Sequence, residues 1–159
     1  MSESKKYIHY GHSSFDRNLF VPIRNREMFV KPSGGLWASA VDAEWSWNAW
    51  CCANEFHVAR LLESFTFTLS ENARVIHIRS VADLDKLPEQ EVPDWLRTGT
   101  RWKCIDFEKL LADGVDAVEL HLSEEVSESY VFMGGLYWEL YGWDCDSILI
   151  MNPDIIMEE

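Results

Sequence analysis

The segment SGGLWAS, residues 33–39, places two glycines shortly before a tryptophan. Gly34 and Gly35 would let a ligand approach the backbone closely, because glycine has no side chain beyond its α-carbon. The indole face of Trp37 can hold a flat, partly cationic ring through stacking and cation–π contact, worth about 0.5–2 kcal/mol. The segment therefore predicts one wall of a cleft for a planar ligand.

A histidine and two aspartates are candidate acid–base groups. His9 lies in YIHY, residues 7–10, where strand alternation directs His9 to one side and Tyr10 to the other. His9 therefore faces either the core or a cleft. Asp144 and Asp146 stand two residues apart before an apolar strand. This arrangement fits an acid site or, more commonly, the turn that leads into a strand.

The tryptophan-rich segment AEWSWNAWCCANEF, residues 43–56, has the spacing of a helix. Asp42 is its candidate N-cap, and Trp47 and Trp50 share one face. Apolar groups cover much of the circumference, so we expect the helix to be well buried. Tryptophans at this spacing are more typical of a core than of a cofactor site, which favours packing over ligand binding.

Histidine and cysteine spacing does not indicate a metal site. His57, His77 and His121 stand alone among apolar neighbours, without a His-x-x-x-His or Cys-x-x-Cys pair. The cysteines fit neither a zinc pattern nor a secreted disulfide framework, so we expect reduced, mostly buried thiols. We predict no metal. The four cysteines are Cys51, Cys52, Cys104 and Cys145.

Charge and composition limit the class of partner. The net charge of −13, from 27 acidic and 14 basic residues, argues against direct binding to nucleic acid, whose phosphates attract basic surfaces. The acidity serves either solubility or an acidic face that binds a basic partner protein. Composition alone leaves both interpretations open.

Length and hydropathy predict one globular domain over residues 1–159, with residues 1–6 as a flexible tail. An apolar run of about 18 residues, as a membrane span requires, does not occur in the sequence. The N-terminal MSESKK also lacks the apolar stretch of a signal peptide. We therefore expect a cytoplasmic protein that does not engage a membrane.

The elements that must position these groups are short. Period-two alternation and β-favouring runs predict extended segments, two of which, 64–70 and 74–79, are expected to form a hairpin or to lie side by side. Helical spacing with capping and stop signals predicts several helices or helical turns. An α+β fold with a mixed or mostly antiparallel sheet follows. Predicted extended segments are 7–10, 28–31, 36–39, 64–70, 74–79, 115–122 and 147–151; predicted helices or turns are 14–26, 42–56, 81–87, 105–112 and 137–141.

Three segments together resemble the ADP-ribosyltransferase superfamily: IHYGHSS near the start, KPSGGLWAS soon after, and GWDCDSILIMNPDII at the end. The resemblance implies an ADP-ribosyltransferase-like fold with NAD as cofactor. It places His9 where the family contacts the ribose and amide of NAD, and Trp37 where a tyrosine often stacks on nicotinamide. Asp146 or Ser147 stands where the family usually has a glutamate beside the ribose. The other implied cofactor-binding residues are Tyr10, Gly35 and Ser39.

Two functions follow from different classes. The resemblance implies an NAD-binding protein that performs ADP-ribosyl transfer or NAD glycohydrolysis with His9 and Asp146, and the small acidic chain resembles phage or mobile-element effectors. The alternative is a non-catalytic inhibitor or immunity-type protein that binds a basic partner. An enzyme requires a cleft where His9, Trp37 and a carboxylate converge, whereas an inhibitor requires only an exposed acidic or aromatic patch.

Overall fold

The computed structural model describes residues 4–26, 32–90, 101–121, 130–133, 136–139 and 145–158. The extended segment expected at residues 28–31 and the candidate acid Asp144 lie outside the described residues. Strands and helices alternate irregularly along the described chain, which confirms the α+β class. The helices are α1 (Trp47–Asn54), α2 (Val81–Asp85) and α3 (Phe107–Ala112). The strands are β1 (Tyr7–Tyr10), β2 (Leu36–Ala40), β3 (Ser64–Leu69), β4 (Val75–Ile78), β5 (Arg101–Lys103), β6 (Ala117–Leu120), β7 (Tyr130–Met133), β8 (Leu136–Glu139), β9 (Ser147–Ile150) and β10 (Ile156–Glu158).

The main sheet has seven strands in the order β10-β3-β1-β2-β9-β6-β4. β4 and β6 run parallel, whereas the other pairs of this sheet are antiparallel, so the expected mixed sheet is confirmed. A smaller sheet has the order β5-β8-β7. The order places β2 between the first strand and β9, so both ends of the chain contribute to the centre of one sheet.

Strand register defines two faces of the main sheet, because directly opposed residues point the same way and successive residues alternate. Glu119 of β6 lies opposite Ile148 of β9, which lies opposite Ala38 of β2. These three residues share one face, which we call the Glu119 face. Trp37 and Ser39 flank Ala38 and lie on the other, the Trp37 face.

Each face carries its own apolar cluster. The Glu119 face buries the rings of Tyr7 and Phe67, whose centroids are 5.8 Å apart, together with Ile148. On the Trp37 face, α2 and α3 contribute Leu84 and Phe107 to a core that continues onto the central strands. Burial of apolar surface on both faces holds the sheet in one register, because a shift of one residue would exchange the faces.

The expected pairing of segments 64–70 and 74–79 is wrong, since β3 pairs with β1 and β10 while β4 pairs with β6. Hydrogen bonds to two distant segments hold the connecting loop in a shape that keeps β3 and β4 apart. The Ser70 amide donates to the Ile155 carbonyl at 2.8 Å, and the Arg74 amide donates to the Asp116 carboxylate at 2.8 Å. These bonds direct the chain away from a hairpin and into the parallel pair.

Three other local expectations are also wrong. The helical turn expected at 137–141 is largely strand β8, which pairs with β5 and β7; its aromatic residues favour a sheet. Helix α1 begins after Ser46, not Asp42, because the Ser46 hydroxyl accepts a hydrogen bond from the Ala49 amide at 3.3 Å. Within α1 only Cys51 is buried, so the helix is not the core element expected.

The N-terminal segment expected as a tail makes contacts from Lys5 onward. The Lys5 ammonium lies 2.9 Å from the Glu119 carboxylate, and the Lys6 carbonyl accepts a hydrogen bond from the Val41 amide at 3.0 Å. None of the helices in the described ranges is long and apolar enough to cross a bilayer.

Candidate functional site

A cavity of about 240 Å³ opens on the Trp37 face beside β1, β2 and the start of β9. Helix α1 and the 3₁₀ turn Val58–Leu62 form its other side. Four residues expected to hold a cofactor are brought together here: His9, Tyr10, Trp37 and Ser39. The described lining residues are Ile8, His9, Tyr10, Trp37, Ala38, Ser39, Trp47, His57, Arg60, Cys145 and Ser147.

Aromatic side chains form much of the cavity wall. Trp47 stacks on Trp50 with ring centroids 5.1 Å apart and 13° between the planes, and Phe56 meets Trp50 edge-on at 5.5 Å. This stacking supports Trp47 from behind and leaves it half-exposed at the cavity. The tryptophans of α1 therefore contribute a wall to the cleft instead of filling the core.

His9 lines the cavity, but its ring lies on the other face of the sheet, since strand register places His9 opposite Phe65 and the two ring centroids are 5.2 Å apart. The β1–β2 ladder ends at the Ile8–Ser39 pair, so His9 sits where the two strands separate. Its Nδ1 lies 2.7 Å from the Trp37 carbonyl oxygen. Since a carbonyl only accepts hydrogen bonds, Nδ1 carries the proton.

The second ring nitrogen of His9 is also engaged. Burial lowers the pKa of His9, the bond to the Trp37 carbonyl acts in the opposite direction, and nearby His12 lowers it further. In the neutral ring Nε2 is an acceptor, so the Nδ1–H of His12 donates to it across 3.0 Å. A ligand hydroxyl would have to replace His12 to reach His9.

The Ser39 hydroxyl is used within the protein. It is fully buried, donates to the Asp146 carbonyl at 2.9 Å and accepts from the Trp47 amide at 3.0 Å. Ser39 thus joins β2 to the start of β9 and to the start of α1. Tyr10 is similarly tied, because its hydroxyl accepts from the Asn48 amide group at 3.1 Å.

The turn after α1 contributes one positively charged side chain to the cavity wall. Arg60 lines it from an exposed position, and its guanidinium has no ion-pair partner among the described residues. Glu55 and His57, which begin this turn, have φ angles of 52° and 47°. Left-handed backbone at non-glycine residues is sparsely populated and tends to occur at ligand sites, so the turn has the strain expected beside a binding cleft.

The paired glycines serve chain packing. Gly34 and Gly35 have φ angles of 81° and 73°, and the Gly35 amide donates to the Val21 carbonyl at 2.8 Å. A β-carbon on Gly35 would come within 2.7 Å of Leu149 Cδ1. Gly35 lines a separate, smaller hollow of about 130 Å³ that also includes His9. The glycines therefore allow close approach by residues 21–23 and not by a ligand in the main cavity.

The Asp146 side chain is not among the described groups that line the cavity, although its neighbours Cys145 and Ser147 are. Its charge acts instead on His121: burial lowers the pKa of His121 most, and Asp146 is one of the groups that raise it. The structure thus brings His9 and Trp37 to one hollow and directs the Asp146 carboxylate towards the Glu119 face.

A second polar cluster lies on the Glu119 face. His77 Nδ1 is 3.0 Å from His121 Nε2, and Glu119 Oε1 is 3.4 Å from the former and 3.8 Å from the latter. The buried Glu119 carboxylate accepts from the Tyr7 hydroxyl at 2.8 Å and from the Lys5 ammonium at 2.9 Å. These three ligand-type side chains could together hold a metal ion.

Burial has the same effect on both histidines of this cluster. It lowers the pKa of His77 and of His121, while the Glu119 charge raises both and the positive charge of Arg79 lowers both. Burial, followed by Glu119, raises the pKa of Tyr7. The Tyr7 hydroxyl therefore keeps its proton and remains a donor to Glu119.

Sequence reasoning missed several of these groups. Helical spacing predicts Trp47 in the core, and nothing in the local sequence of Arg60 indicates a ligand. For the second cluster the signal was Glu119-x-His121 within a strand, which places both side chains on one face. The neighbouring His77 could not be found this way, since its position depends on the pairing of β4 with β6.

No protein-family model, curated protein or solved structure matches this chain.

Proposed function

We propose that the cleft on the Trp37 face binds a nucleotide-type ligand, with NAD as the first candidate. The observation that carries the proposal is the meeting of Trp37 and Trp47 with Arg60 around one cavity. Indole faces bind planar, partly cationic rings, and a guanidinium pairs with phosphate through two parallel hydrogen bonds. The expected cytoplasmic location belongs to the same proposal.

The size of the cavity defines which part of NAD is enclosed. Its volume of about 240 Å³ is below the range of about 300–1,000 Å³ that suits drug-sized ligands. One ring with its ribose fits this space better than a whole dinucleotide. The phosphates would then lie at the mouth, where Arg60 is exposed.

Binding is the step that the geometry supports best. ADP-ribosyl transfer and NAD glycohydrolysis develop positive charge at the ribose, which a nearby carboxylate stabilises. Of the described residues, none that lines the cavity carries a carboxylate. Either reaction would require the Asp146 side chain to turn into the cleft, so we propose an NAD-binding protein and attach no reaction step to it.

The test is calorimetric titration with NAD and, separately, with nicotinamide mononucleotide and AMP. We expect Trp47→Ala to weaken NAD binding by roughly five- to thirtyfold, because it removes a stacking face worth about 1–2 kcal/mol. Arg60→Met keeps the aliphatic stem but loses the phosphate partner, and we expect about a tenfold loss or more.

Matched controls are Trp45→Ala and Arg24→Met, which remove the same side-chain types outside the cavity lining. Both controls should retain wild-type affinity and fold. Absence of heat at millimolar NAD, or equal weakening by controls and cleft variants, would refute nucleotide binding here. The two half-ligands then show which ring the cavity encloses.

A specific observation also favours the alternative of a partner-binding protein. Large apolar side chains are exposed on the segment that follows α1: Phe56 is 42%, Val58 47% and Leu62 88% exposed. Glu55 and Glu63 bound this segment on either side of Arg60, so the surface suits an apolar partner with basic groups at the edges of its contact patch. Its test is pull-down from cell extract with wild-type protein and Leu62→Asp. A basic protein retained by the first and lost by the second supports this alternative, whereas equal recovery refutes it.

A further inference from the structure

The pairing of two strands brings His77, Glu119 and His121 together on the Glu119 face. In the parallel register of β4 and β6, His77 lies directly opposite Glu119. His121 follows two residues after Glu119 and therefore projects to the same side. Their ligand atoms all lie within 4.8 Å of one another.

We propose that these three side chains form a binding site for a divalent transition-metal ion of the zinc type. Two imidazoles and one carboxylate are a donor set used by zinc and by non-haem iron sites, which retain open positions for water or substrate. The site is independent of the nucleotide cleft, because it lies on the opposite face of the sheet.

The spacing of the ligand atoms fits one ion. Ligands about 2.0–2.1 Å from a tetrahedral zinc ion lie about 3.3–3.4 Å from one another. The three separations here are 3.0 Å, 3.4 Å and 3.8 Å. The mean is close to the tetrahedral value, so shifts of a few tenths of an ångström would complete the site.

Glu119 is already held in an orientation suitable for a ligand. Its Oε1 accepts one hydrogen bond from the Tyr7 hydroxyl, and a second lone pair of the same oxygen remains on the side of His77 and His121. In metal sites, a ligating carboxylate usually accepts a hydrogen bond from a second group, which fixes its orientation. Tyr7 is that second group here.

Solvent can reach the site from the histidine side. The His77 and His121 side chains are 34% and 25% exposed, whereas Glu119 is 4% exposed. An ion would enter past the imidazoles and meet the buried carboxylate, leaving at least one coordination position for water.

The positive charges of Lys5 and Arg79 oppose a dication at this position. Lys5 bonds to Glu119 Oε2, but its side chain is 40% exposed and can move into solvent. Because the Lys5 ammonium competes with the metal ion for Glu119, we expect Lys5→Met to tighten metal binding severalfold. A purely structural ion pair predicts no gain in metal affinity from the same change.

The experiment uses tag-free, chelator-treated protein titrated with Zn²⁺ by calorimetry and with Co²⁺ by visible absorption. We expect one ion per chain and a Co²⁺ spectrum of nitrogen–oxygen coordination. His121→Ala should weaken binding by at least about tenfold, since it removes a direct ligand. Glu119→Gln tests the carboxylate while it retains an oxygen acceptor for Tyr7.

The control is His12→Ala, which removes a histidine that also contacts another imidazole but is not one of the three proposed ligands. It should bind Zn²⁺ like the wild type. Thermal melting with and without Zn²⁺ verifies that each variant folds and gives an independent readout, because a bound ion raises the melting temperature. Failure to bind one Zn²⁺ at about 100 μM, or equal loss in His12→Ala and His121→Ala, would overturn the proposal.

Discussion

The two faces of the central sheet gather polar groups in different ways. On the Trp37 face, the hydroxyl of Ser39 bonds to the protein and half-exposed rings surround a hollow. On the Glu119 face, a buried carboxylate attracts a hydroxyl, an ammonium and two imidazoles. The first arrangement leaves ring faces and Arg60 for a ligand, whereas the second leaves lone pairs for a cation.

Removal of the buried charge tests the Glu119 face and should have the largest effect on stability. Glu119→Leu leaves the Tyr7 hydroxyl without its acceptor, and we expect a loss of about 3 kcal/mol in the free energy of unfolding. Urea denaturation measures it. Glu119→Gln, which keeps an acceptor, should lose less; equal losses would show that packing and not polarity holds this face.

Removal of the Ser39 hydroxyl tests the corresponding organisation of the Trp37 face. Ser39→Ala leaves the Asp146 carbonyl and the Trp47 amide without their partner, so we expect a loss of about 2 kcal/mol. Ser147→Ala is the matched control, because that hydroxyl bonds only to the nearby Cys145 carbonyl among the contacts described. The comparison fails if both variants unfold at the same urea concentration.

Acid should act on strand β1 through His9. Its pKa is lowered by folding, so its stabilising contribution is complete above its unfolded value of about 6.5 and decreases as the pH falls below it. Melting temperatures measured from pH 7.5 to pH 5 should therefore fall, and His9→Gln should reduce the slope. An unchanged slope in this variant would show that His9 is not held in the neutral form.

The smallest effect is expected at the exposed apolar segment beside the cleft. Leu62 is 88% exposed, so Leu62→Ser should change the free energy of unfolding by less than about 0.5 kcal/mol. Urea denaturation again measures it. A loss above about 1 kcal/mol would indicate that this segment packs against the protein more closely than its exposure shows.

Local patterns predicted most of the individual elements. Alternation identified β3, β-favouring and apolar runs identified β1 and β9, and the Gly114 stop signal identified the end of α3. Pairing was not predictable in the same way, because the partners of β3 and β4 depend on contacts with residues more than forty positions away. The burial of α1 was misjudged for a related reason: its apolar groups face a hollow and solvent, which spacing alone cannot distinguish from a core.

The candidate cleft was predictable in part. Four of its residues were identified from the first forty positions of the sequence, but Gly35 proved to serve packing and the Asp146 side chain lies outside the lining described. For Asp146, the sequence correctly placed the backbone beside the cleft but did not predict the direction of the side chain. At the start of β9 a single residue separates the Trp37 face from the Glu119 face, so Ser147 and Asp146 serve different surroundings.

The position of β9 has a consequence for how the molecule is made. This strand, residues 147–150, is inserted between β2 and β6, which were synthesised much earlier. Until it emerges from the ribosome, both neighbours present unpaired backbone and apolar side chains, the features that promote aggregation of nascent chains. Completion of the sheet must therefore await the synthesis of residues 147–158, and a product truncated before residue 147 would expose two open edges to chaperones and proteases.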